Sequence, residues 1–466
     1  MTLEQELGRL RADNAELRQL LVASQEQVAQ VTQQLAAAVQ RIVELEAQLN
    51  QRGDPPAFVK PTRQKAVRAG PRKQRPAAQN GTRKRMAPTR IERHALDRCP
   101  ECAYRLTGES LDYCREVIEL PPPQPVEVTE HQVVKRWCPC CERWRSPQLD
   151  LTGQVFGQGR IGVRIGALVA YLRTTLRLPV RQVQAYLATQ HALRLSVGEL
   201  VELSHDVRQQ LQGAADQLLV TVRQQPAVHQ DETGWRENGA NGYIWTTVCD
   251  GPQAVRHYVY SASRGHHVPL RLLGPDFHGV LLSDFYAAYN LIPGRHQRCW
   301  VHLLRDLHAL QALHAARDDV VAWAQALRQL YDAAQAWLAH AHTAAERRSQ
   351  YAELYQRAAQ LGQQYALAPT HPCGTLAKRL LRHQEELFQF VLQPGVPADN
   401  NLAERSLRPL VIMRKISGGT RSAAGSLTRL TLASLLATWA ARGLNPFDEC
   451  LSALQSAGRP AVTTAP

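Results

Sequence analysis

The stretch that decides the fold runs through residues 227–284. It opens with AVHQDETGWRENGANGYIWTTVC at 227–249 and closes with GVLLSD at 279–284. Ala227 to Asp231 is typical of a short strand that ends in an acid, and Tyr243 to Val248 is rich in the aromatic and β-branched residues that favour a second strand. A β-sheet is therefore expected to begin here.

Two dipeptides indicate where the first strands turn. Asn241-Gly242 precedes the second strand, and Asp250-Gly251 leads into a third strand from Ala254 to Tyr260. Both dipeptides are hairpin-turn signals. The first three strands are therefore predicted to be joined by hairpins.

The segment after the hairpins returns to the sheet. Arg264 to Leu273 can form a helix, and Gly279 to Asp284 is typical of a buried strand that again ends in an acid. The order strand, hairpin, hairpin, helix, strand opens the ribonuclease H-like fold, in which the first and fourth strands lie side by side. Asp231 and Asp284 are therefore predicted to converge. Glu232 competes with Asp231, but strand alternation directs it to the other face.

A third acid follows a helical segment. Residues 303–395 are rich in Ala, Gln, Leu and Arg and predict an all-helical insertion, broken near Pro369 and Pro372. PADNNLAERSLRPL at 397–410 then begins a new helix that Asp399 or Asn400 can cap. Glu404 lies about one turn inside. Such a glutamate often only complements the helix dipole, so its position alone does not assign it a function.

The first 50 residues predict a coiled coil that dimerises the chain. Apolar residues recur every seven positions in two registers, and no proline interrupts them. Asn14 falls at an a position, which favours a parallel two-stranded dimer. A helix packed on its own chain is the alternative. The two registers consist of Leu7, Asn14, Leu21, Val28, Leu35, Ile42 and Leu49, and of Leu3, Leu10, Leu17, Ser24, Val31, Ala38 and Leu45.

Residues 51–94 predict a basic disordered linker. Prolines end the helix, and positions 55–91 carry no Asp or Glu to offset their Lys and Arg side chains. Such a segment suits contacts with DNA phosphates, although a solvated linker is the alternative. The residues expected to bind DNA here are Arg72, Lys73, Arg83, Lys84 and Arg85.

Residues 95–146 predict a zinc-binding module. Cys99 and Cys102 form one CxxC pair, and Cys138 and Cys141 form another about forty residues later. Two such pairs can enclose one tetrahedral structural zinc ion. Tyr113 to Leu120 and Val126 to Arg136 are expected to be the short strands of a zinc ribbon. Reduced core cysteines are the alternative, and Cys114 or Cys140 could replace a member of a pair.

Residues 147–225 predict a helical module. Helical periodicity covers Ile161 to Arg177 and resumes after Pro179, and Ser196 to Glu199 is a capping-box pattern that opens a further helix. This order permits a DNA-binding helix-turn-helix, although ordinary helix packing gives the same pattern.

The composition bounds the class of protein. A chain of 466 residues exceeds one hydrophobic core, so a multidomain α+β protein is expected. The formal net charge of +14 favours a polyanionic partner. The absence of a long apolar run or a signal-peptide pattern predicts a cytoplasmic, nucleoid-associated protein without membrane contact. The catalytic domain is expected at 226–450 and a short tail at 451–466.

Five short motifs carry a family resemblance. They are Asp231-Glu-Thr, Ser283-Asp284-Phe-Tyr-Ala-Ala-Tyr289, Cys299-Trp-Val-His302, Asp399-Asn-Asn-Leu-Ala-Glu404-Arg and Arg414-Lys415. These motifs resemble those of the DDE transposases of the insertion-sequence sixty-six (IS66) family. The order of modules is also similar, and the resemblance covers nearly the whole chain. It implies that Asp231, Asp284 and Glu404 take the three catalytic positions.

The resemblance also implies a reaction and its partners. The three acids would hold two magnesium or manganese ions about 4 Å apart, which serve cleavage and strand transfer at the ends of an insertion sequence. By analogy with related enzymes, Asp231 bridges the ions, and Asp284 and Glu404 each complete one. Double-stranded DNA, as terminal inverted repeats and target, is the expected partner, and a need for accessory transposition proteins stays open. Further expected DNA contacts are Arg405, Arg408, Arg414 and Lys415.

Two rival functions remain. One is a zinc-containing DNA-binding regulator that performs no chemistry, and the presence of all three acids argues against it. The other is a ribonuclease H-like nuclease that hydrolyses DNA without strand transfer. An assay that scores both cutting and joining separates the three functions.

Overall fold

The computed structural model describes residues 3–51 and 87–457 of the chain. It is a mixed α+β structure that divides into two compact units, residues 1–119 and residues 120–466. Most of the predicted basic linker, with Arg72, Lys73, Arg83, Lys84 and Arg85, lies outside the described residues. So does the tail after residue 457.

The first unit begins with one unbroken helix. Helix α1 spans Leu3–Gln51, so the proline-free sequence does form a helix over the predicted heptads. Leu21, Val28 and Leu35 of the first register leave 59%, 63% and 65% of their surfaces exposed. Part of the apolar seam of α1 is therefore exposed and is not buried against other described residues of the same chain.

The strands expected between the two cysteine pairs are not found. Tyr113 to Leu120 is irregular and exposed, and Val126 to Arg136 has no strand before its last residue. Two short strands form near the second cysteine pair instead. They are β1, Arg136–Cys138, and β2, Arg143–Arg145, and they pair antiparallel. The alternating sequence failed as a predictor because its side chains bury nothing, and the prolines at 121–123 and 125 offer no amide hydrogen to a ladder.

Four helices precede the main sheet, as the periodicity predicted. The capping box is formed, since the Ser196 hydroxyl accepts from the N–H of Glu199 and the Glu199 carboxylate accepts from the N–H of Ser196. The helices are α2, Val163–Thr174; α3, Val180–His191; α4, Val197–Gln210; and α5, Gln212–Arg223.

The main sheet has five strands in the order β5-β4-β3-β6-β7. The first three are antiparallel, and β6 and β7 run parallel to β3. The first and fourth strands are therefore neighbours, which confirms the predicted order. The elements are β3, Ala227–Glu237; β4, Ala240–Cys249; β5, Val255–Ser261; helix α6, His267–Leu273; β6, Val280–Ser283; and β7, Arg295–Arg298.

Two details of the first hairpin differ from the prediction. The strand continues past Asp231 to Glu237, so the acid is not at the strand end. The turn is made by Asn238-Gly239 and not by Asn241-Gly242, because Glu237 pairs with Ala240. Asn238 and Gly239 both have positive φ, which suits the type I′ turns that join tightly twisted strands.

The sheet is covered on both faces. On one face Val228, Trp245 and Leu281 share a core with helices α2, α4 and α5. On the other, Ile244 and Tyr258 pack against α12, a helix at Asn401–Ser417. The helices that precede the sheet therefore belong to the same core as the sheet.

The predicted insertion is helical and joins the sheet through Val280 and Leu282. Its break at Pro369 and Pro372 is confirmed, because neither proline lies in a helix. The insertion consists of α7, Trp300–Leu313; α8, Asp318–Trp337; α9, Ala344–Ala366; α10, Gly374–Arg382; and α11, Gln389–Leu392.

After α12, two helices complete the described chain. Helix α13 spans Ala423–Ala441 and packs along β5, and α14 spans Pro446–Ser456. None of the helices in the described residues is both long and apolar enough to cross a bilayer.

Candidate active site

The pairing of β3 with β6 aligns the first two acids. Ala227 lies opposite Val280 and His229 opposite Leu282. Continuing this register by two residues brings Asp231 opposite Asp284. The paired part of β3 and β6 ends before these two residues. Both carboxylates therefore lie just beyond the end of β6, at a point where β3 continues. Convergence therefore follows from the parallel pairing and does not require Asp231 to end its strand.

The third acid is positioned by a buried asparagine. Asn400, 1% exposed, precedes α12. Its side-chain amide donates to the carbonyl oxygen of Gln230 at 2.8 Å, and its Oδ1 lies 3.0 Å from the His229 Nδ1. These bonds fix the start of α12 against β3 one residue before Asp231. Glu404 therefore lies in the first turn of a helix that is anchored beside the first acid.

Asp399 caps the helix in place of Asn400. The Asp399 carboxylate accepts from the N–H of Asn401 at 2.9 Å, whereas the Asn400 side chain makes no capping bond. The sequence left both residues open as the cap. The structure gives that function to Asp399 and leaves Asn400 to hold β3.

The Cys299-to-His302 motif joins the elements that carry the acids. The N–H of Cys299 donates to the Ser283 carbonyl at 2.9 Å, and the Cys299 thiol accepts from the N–H of Asn400 at 3.1 Å. The next turn brings the His302 Nε2 to 3.6 Å from the Glu404 Oε1. Cys299 is a packing and supporting residue, and His302 faces the third acid.

The electrostatics of Asp231 show that the three acids are close together. Burial and, after it, the neighbouring charge of Glu232 raise the pKa of its carboxyl to about 8. The N–H of Glu232, which donates to the Asp231 Oδ1 at 2.8 Å, opposes that shift. The charges of Asp284 and Glu404 also raise this pKa. The site concentrates negative charge that no bound side-chain cation neutralises at Asp231.

Glu232 occupies the other face of the strand and has its own partners. Its carboxylate accepts from the Arg264 guanidinium at 2.7 Å and from the Tyr289 hydroxyl at 2.8 Å. The side chain is 3% exposed, and burial raises its pKa. Alternation therefore separates a neutralised acid, Glu232, from an acid without a cationic partner, Asp231.

A buried arginine supports Asp284 from behind. Arg298 is fully buried and donates to the Asp284 carbonyl at 2.9 Å and to the Ser283 hydroxyl at 3.1 Å. Its Nε forms an ion pair with Glu386 of the helical insertion. Burial opposes the ionisation of Glu386, but His383 and Arg298 outweigh it and lower the pKa to about 2. The insertion is thereby tied to the backbone of Asp284.

The donor set fits divalent cations. The Glu404 Oε1 is buried and has no hydrogen-bond partner, and the His302 Nδ1 is likewise unpartnered. Such orphaned polar atoms are costly unless another group satisfies them. In the described part of the chain, no three His, Cys, Asp or Glu side chains are gathered around one point that could hold an ion. In a two-ion site bridged by Asp231, each ion would need only two of the three acids as ligands.

Each cysteine pair forms a compact knuckle of its own. The N–H of Ala103 donates to the Cys99 carbonyl at 2.9 Å, and the backbone N–H of Cys102 lowers the pKa of the Cys99 thiol. In the second pair, the backbone N–H of Cys141 lowers the pKa of the Cys138 thiol. Amides that favour a thiolate are what a thiolate-bound metal requires.

The basic residues of α12 differ in their surroundings. Arg405, Arg408 and Lys415 are exposed. Arg414 instead donates to the Gly234 carbonyl and lies 3.3 Å from the Thr233 hydroxyl, so its side chain is already bound to β3. Asn400, Arg298 and Arg414 have structural functions that the sequence did not reveal.

Comparison with known proteins assigns a family to the central region. A sequence model described as "Transposase IS66 family" matches residues 158–427, more than half of the chain. Three similar proteins of Sinorhizobium fredii, all described as uncharacterized, share partial identity. Protein y4qI is 28% identical over 62% of this chain and 62% of its own length. Protein y4jO is 30% identical over 36% and 49%, and y4jD is 26% identical over 61% and 61%. The chain therefore spans less than two thirds of each relative.

The raised pKa of Asp231 predicts a gain in stability when its charge is removed. The folded-state pKa is about 8 and the ordinary value is 3.8. Between these values the unfolded chain has lost a proton that the folded chain keeps, so stability falls as pH rises. We expect Asp231→Asn, melted in EDTA, to unfold at a higher temperature than wild type near pH 8, with the difference shrinking towards pH 4.

The exposed Asp332 of α8 supplies the matched control, because Asp332→Asn removes a charge without relieving burial. It should show no such pH-dependent gain. Magnesium should then raise the melting temperature of wild type but not that of Asp231→Asn. An Asp231→Asn chain that melts at or below the wild-type temperature at alkaline pH contradicts the electrostatic assignment.

Proposed function

The chain belongs to the IS66 transposase family, and on that basis we propose that it is a DNA transposase that cleaves and joins DNA through Asp231, Asp284 and Glu404. One observation carries the proposal. Two acids are aligned across the parallel pair β3 and β6, and a third is anchored against β3 by Asn400. The charges of Asp284 and Glu404 both raise the pKa of Asp231.

The topology supports a ribonuclease H-like catalytic domain. Three antiparallel strands are followed by two parallel ones, and the fourth strand pairs with the first. The helical insertion separates β7 from α12, so the third acid comes from a helix late in the chain. Asp231 in β3, Asp284 after β6 and Glu404 in the first turn of α12 therefore lie towards the same end of the sheet.

The chemistry follows from what these residues can hold. Two divalent cations, when bound, activate an attacking water or 3′-hydroxyl and neutralise charge on the attacking and leaving oxygens. Asp231 would be shared by both ions, and Asp284 and Glu404 would each complete one. Carboxylates at 4 Å repel by about 4 kcal/mol per pair at an effective dielectric of 20. Binding of cations at Asp231, Asp284 and Glu404 would therefore relieve the repulsion that raises the pKa of Asp231.

Exposed cations near the acids suit a DNA backbone. Arg405 and Arg408 lie on α12 directly after Glu404, and Lys415 lies near the end of the same helix. The overall charge of +14 favours association with a polyanion. The proposed DNA contacts on α12 are therefore Arg405, Arg408 and Lys415, with Arg414 retained as a residue that fixes α12 to β3.

Two further modules of the chain suit a larger assembly that grips DNA ends. The seam of α1 leaves Leu21, Val28 and Leu35 exposed, which suits a second copy of the chain in a coiled coil. Each CxxC knuckle carries a thiol with a lowered pKa, which suits one structural zinc ion bound by Cys99, Cys102, Cys138 and Cys141.

Removal of either of two acids should abolish cutting and joining. We expect Asp284→Asn and Glu404→Gln to lower strand cleavage about a thousand-fold or more, because residues that act as a unit fail together. The measurement is the joining of labelled terminal-repeat DNA to a target plasmid with magnesium or manganese. DNA-end binding, measured in calcium, should be unchanged.

Matched controls come from exposed acids of the insertion. Asp332→Asn and Glu353→Gln remove charges that are 54% and 56% exposed, and both variants should keep wild-type activity. Wild-type cleavage in Asp284→Asn or Glu404→Gln would remove that residue from the site. Binding without cutting in the wild type supports the regulator, and cutting without joining supports the nuclease.

Charges placed in the seam of α1 should separate the chains. We expect Leu21→Lys combined with Leu35→Lys to convert a dimer into a monomer, because two ammonium groups would have to be buried at each a layer. Light scattering coupled to gel filtration gives the mass. Ala23→Lys combined with Gln30→Lys places the same charges off the seam and should remain dimeric. A wild-type chain that is monomeric, or a seam variant that stays dimeric, contradicts the coiled coil.

A further inference from the structure

Two arginines share one place in the helical layer without any acidic partner. Arg173 lies in the last turn of α2 and Arg429 in the second turn of α13, and both are half-buried. Among the described residues, no Asp or Glu forms an ion pair with either guanidinium. No carboxylate contributes to the pKa shift of either one. This part of the fold therefore carries two positive charges that no acid among residues 3–51 and 87–457 balances.

Helix α4 holds the two arginines beside each other. The Arg173 Nη1 donates to the Ser204 hydroxyl at 2.7 Å. The next residue, His205, lies with its Nδ1 2.6 Å from the Thr428 hydroxyl, and Thr428 immediately precedes Arg429. Two consecutive residues of α4 thus contact Arg173 and the residue that precedes Arg429. Their arrangement is built into the contacts between helices and is not a feature of mobile surface side chains.

The unfavourable electrostatics of this arrangement lower the pKa values of both arginines. Burial lowers the pKa of Arg173. Burial, followed by the positive charge of Arg173, lowers the pKa of Arg429 to about 10. Charges taken out of water are unfavourable unless they are paired. An apolar residue of similar size would stabilise the fold better, so the arginines point to a ligand that supplies negative charge.

The free donors define the chemistry of that ligand. The Arg429 Nη1 lies against the Met413 Sδ, a weak acceptor, and no other protein acceptor among the described residues receives a bond from this guanidinium. A guanidinium presents a planar fork that matches the oxygens of a phosphate. Thr428 adds a hydroxyl nearby, whereas the Ser204 hydroxyl already donates to the Leu200 carbonyl. The site therefore fits a tetrahedral oxyanion.

We propose that Arg173 and Arg429 form a phosphate seat that binds a backbone phosphate of DNA. The proposal rests on the proposed function, because DNA is the phosphate-bearing partner of a transposase. Met413, which Arg429 contacts, lies on the same helix as Glu404 and nine residues after it. At 1.5 Å per residue this is about 14 Å, a distance that roughly four steps of duplex DNA span at 3.4 Å each. Nine residues make about two and a half helical turns, so Met413 and Glu404 project from opposite sides of α12, and the seat would hold the DNA backbone away from the cleavage site.

The first test measures the salt dependence of DNA binding. We expect Arg173→Gln and Arg429→Gln each to reduce the slope of log K against log salt concentration by about 1, because each loses one phosphate contact. The double variant should lose about 2. Arg429→Lys keeps the charge and should keep the slope. The exposed Arg328 of α8 supplies the matched control, and Arg328→Gln should leave the slope unchanged.

The second test separates DNA from free phosphate. Inorganic phosphate should raise the melting temperature of wild type above that in chloride of equal ionic strength, and the double glutamine variant should lose this rise. Without phosphate, the double variant should melt no lower than wild type, because relief of two unpaired charges offsets the loss of the bond from Arg173 to Ser204. A rise in phosphate combined with wild-type DNA slopes in both variants would indicate a free-anion site and overturn the proposal. Unchanged slopes with no rise in phosphate also overturn it.

Failure of the seat and failure of the transposase proposal give different results. If the variants keep the wild-type slope while the wild-type chain cleaves and joins DNA, the seat is wrong and the enzyme stands. If the slopes fall as expected while the wild-type chain never cleaves DNA, the seat stands and the catalytic proposal fails.

Discussion

The acidic site depends on the buried side chain of Asn400. Its amide donates to the Gln230 carbonyl, its Oδ1 meets His229, and its own N–H reaches the Cys299 thiol. Burial lowers the pKa of His229 to about 4, so the ring is neutral and its Nδ1–H can donate to the Asn400 oxygen. At about 1 kcal/mol each, three such bonds rival the repulsion that tends to drive carboxylates apart. Glu404 stays beside Asp231 because α12 cannot start anywhere else.

The two faces of β3 give its two neighbouring acids different surroundings. Glu232 is buried with Arg264 and Tyr289, which satisfy its charge within the protein. Asp231 faces α12, where the other nearby ionisable groups are acids. The two faces of β3 therefore separate Glu232, which is paired within the protein, from Asp231, whose charge would be neutralised by a bound ligand. The same contrast appears in the helical layer with opposite sign, where Arg173 and Arg429 lack an acid. In both places the unbalanced charge marks where a ligand is expected.

The sequence predicted the part of the site that depends on strand order. Asp231 and Asp284 follow from the alternation of strands, turns and one helix, and the register of the parallel pair, continued by two residues, brings them opposite each other. Glu404 needed the family resemblance, because a glutamate in a first helical turn has many ordinary explanations. Asn400 was considered only as a cap, since a sequence does not show that a side chain reaches a strand 170 residues away.

The errors have physical causes of the same kind. Two Asn-Gly pairs compete in the first hairpin, and only the pairing of Glu237 with Ala240 selects the first of them. The strands expected near the cysteines did not form, because alternation predicts a strand only where one face is buried. Within the main sheet and the helices, local pattern therefore predicted which elements form. The long-range partner determined where they begin, end and turn.

The most direct measurement of the central claim is a diffraction experiment on the full chain bound to a DNA end in manganese, with data collected at the manganese absorption edge. The account predicts two anomalous peaks, one between Asp231 and Asp284 and the other between Asp231 and Glu404. No peak at these carboxylates, or peaks only elsewhere in the chain, would contradict it.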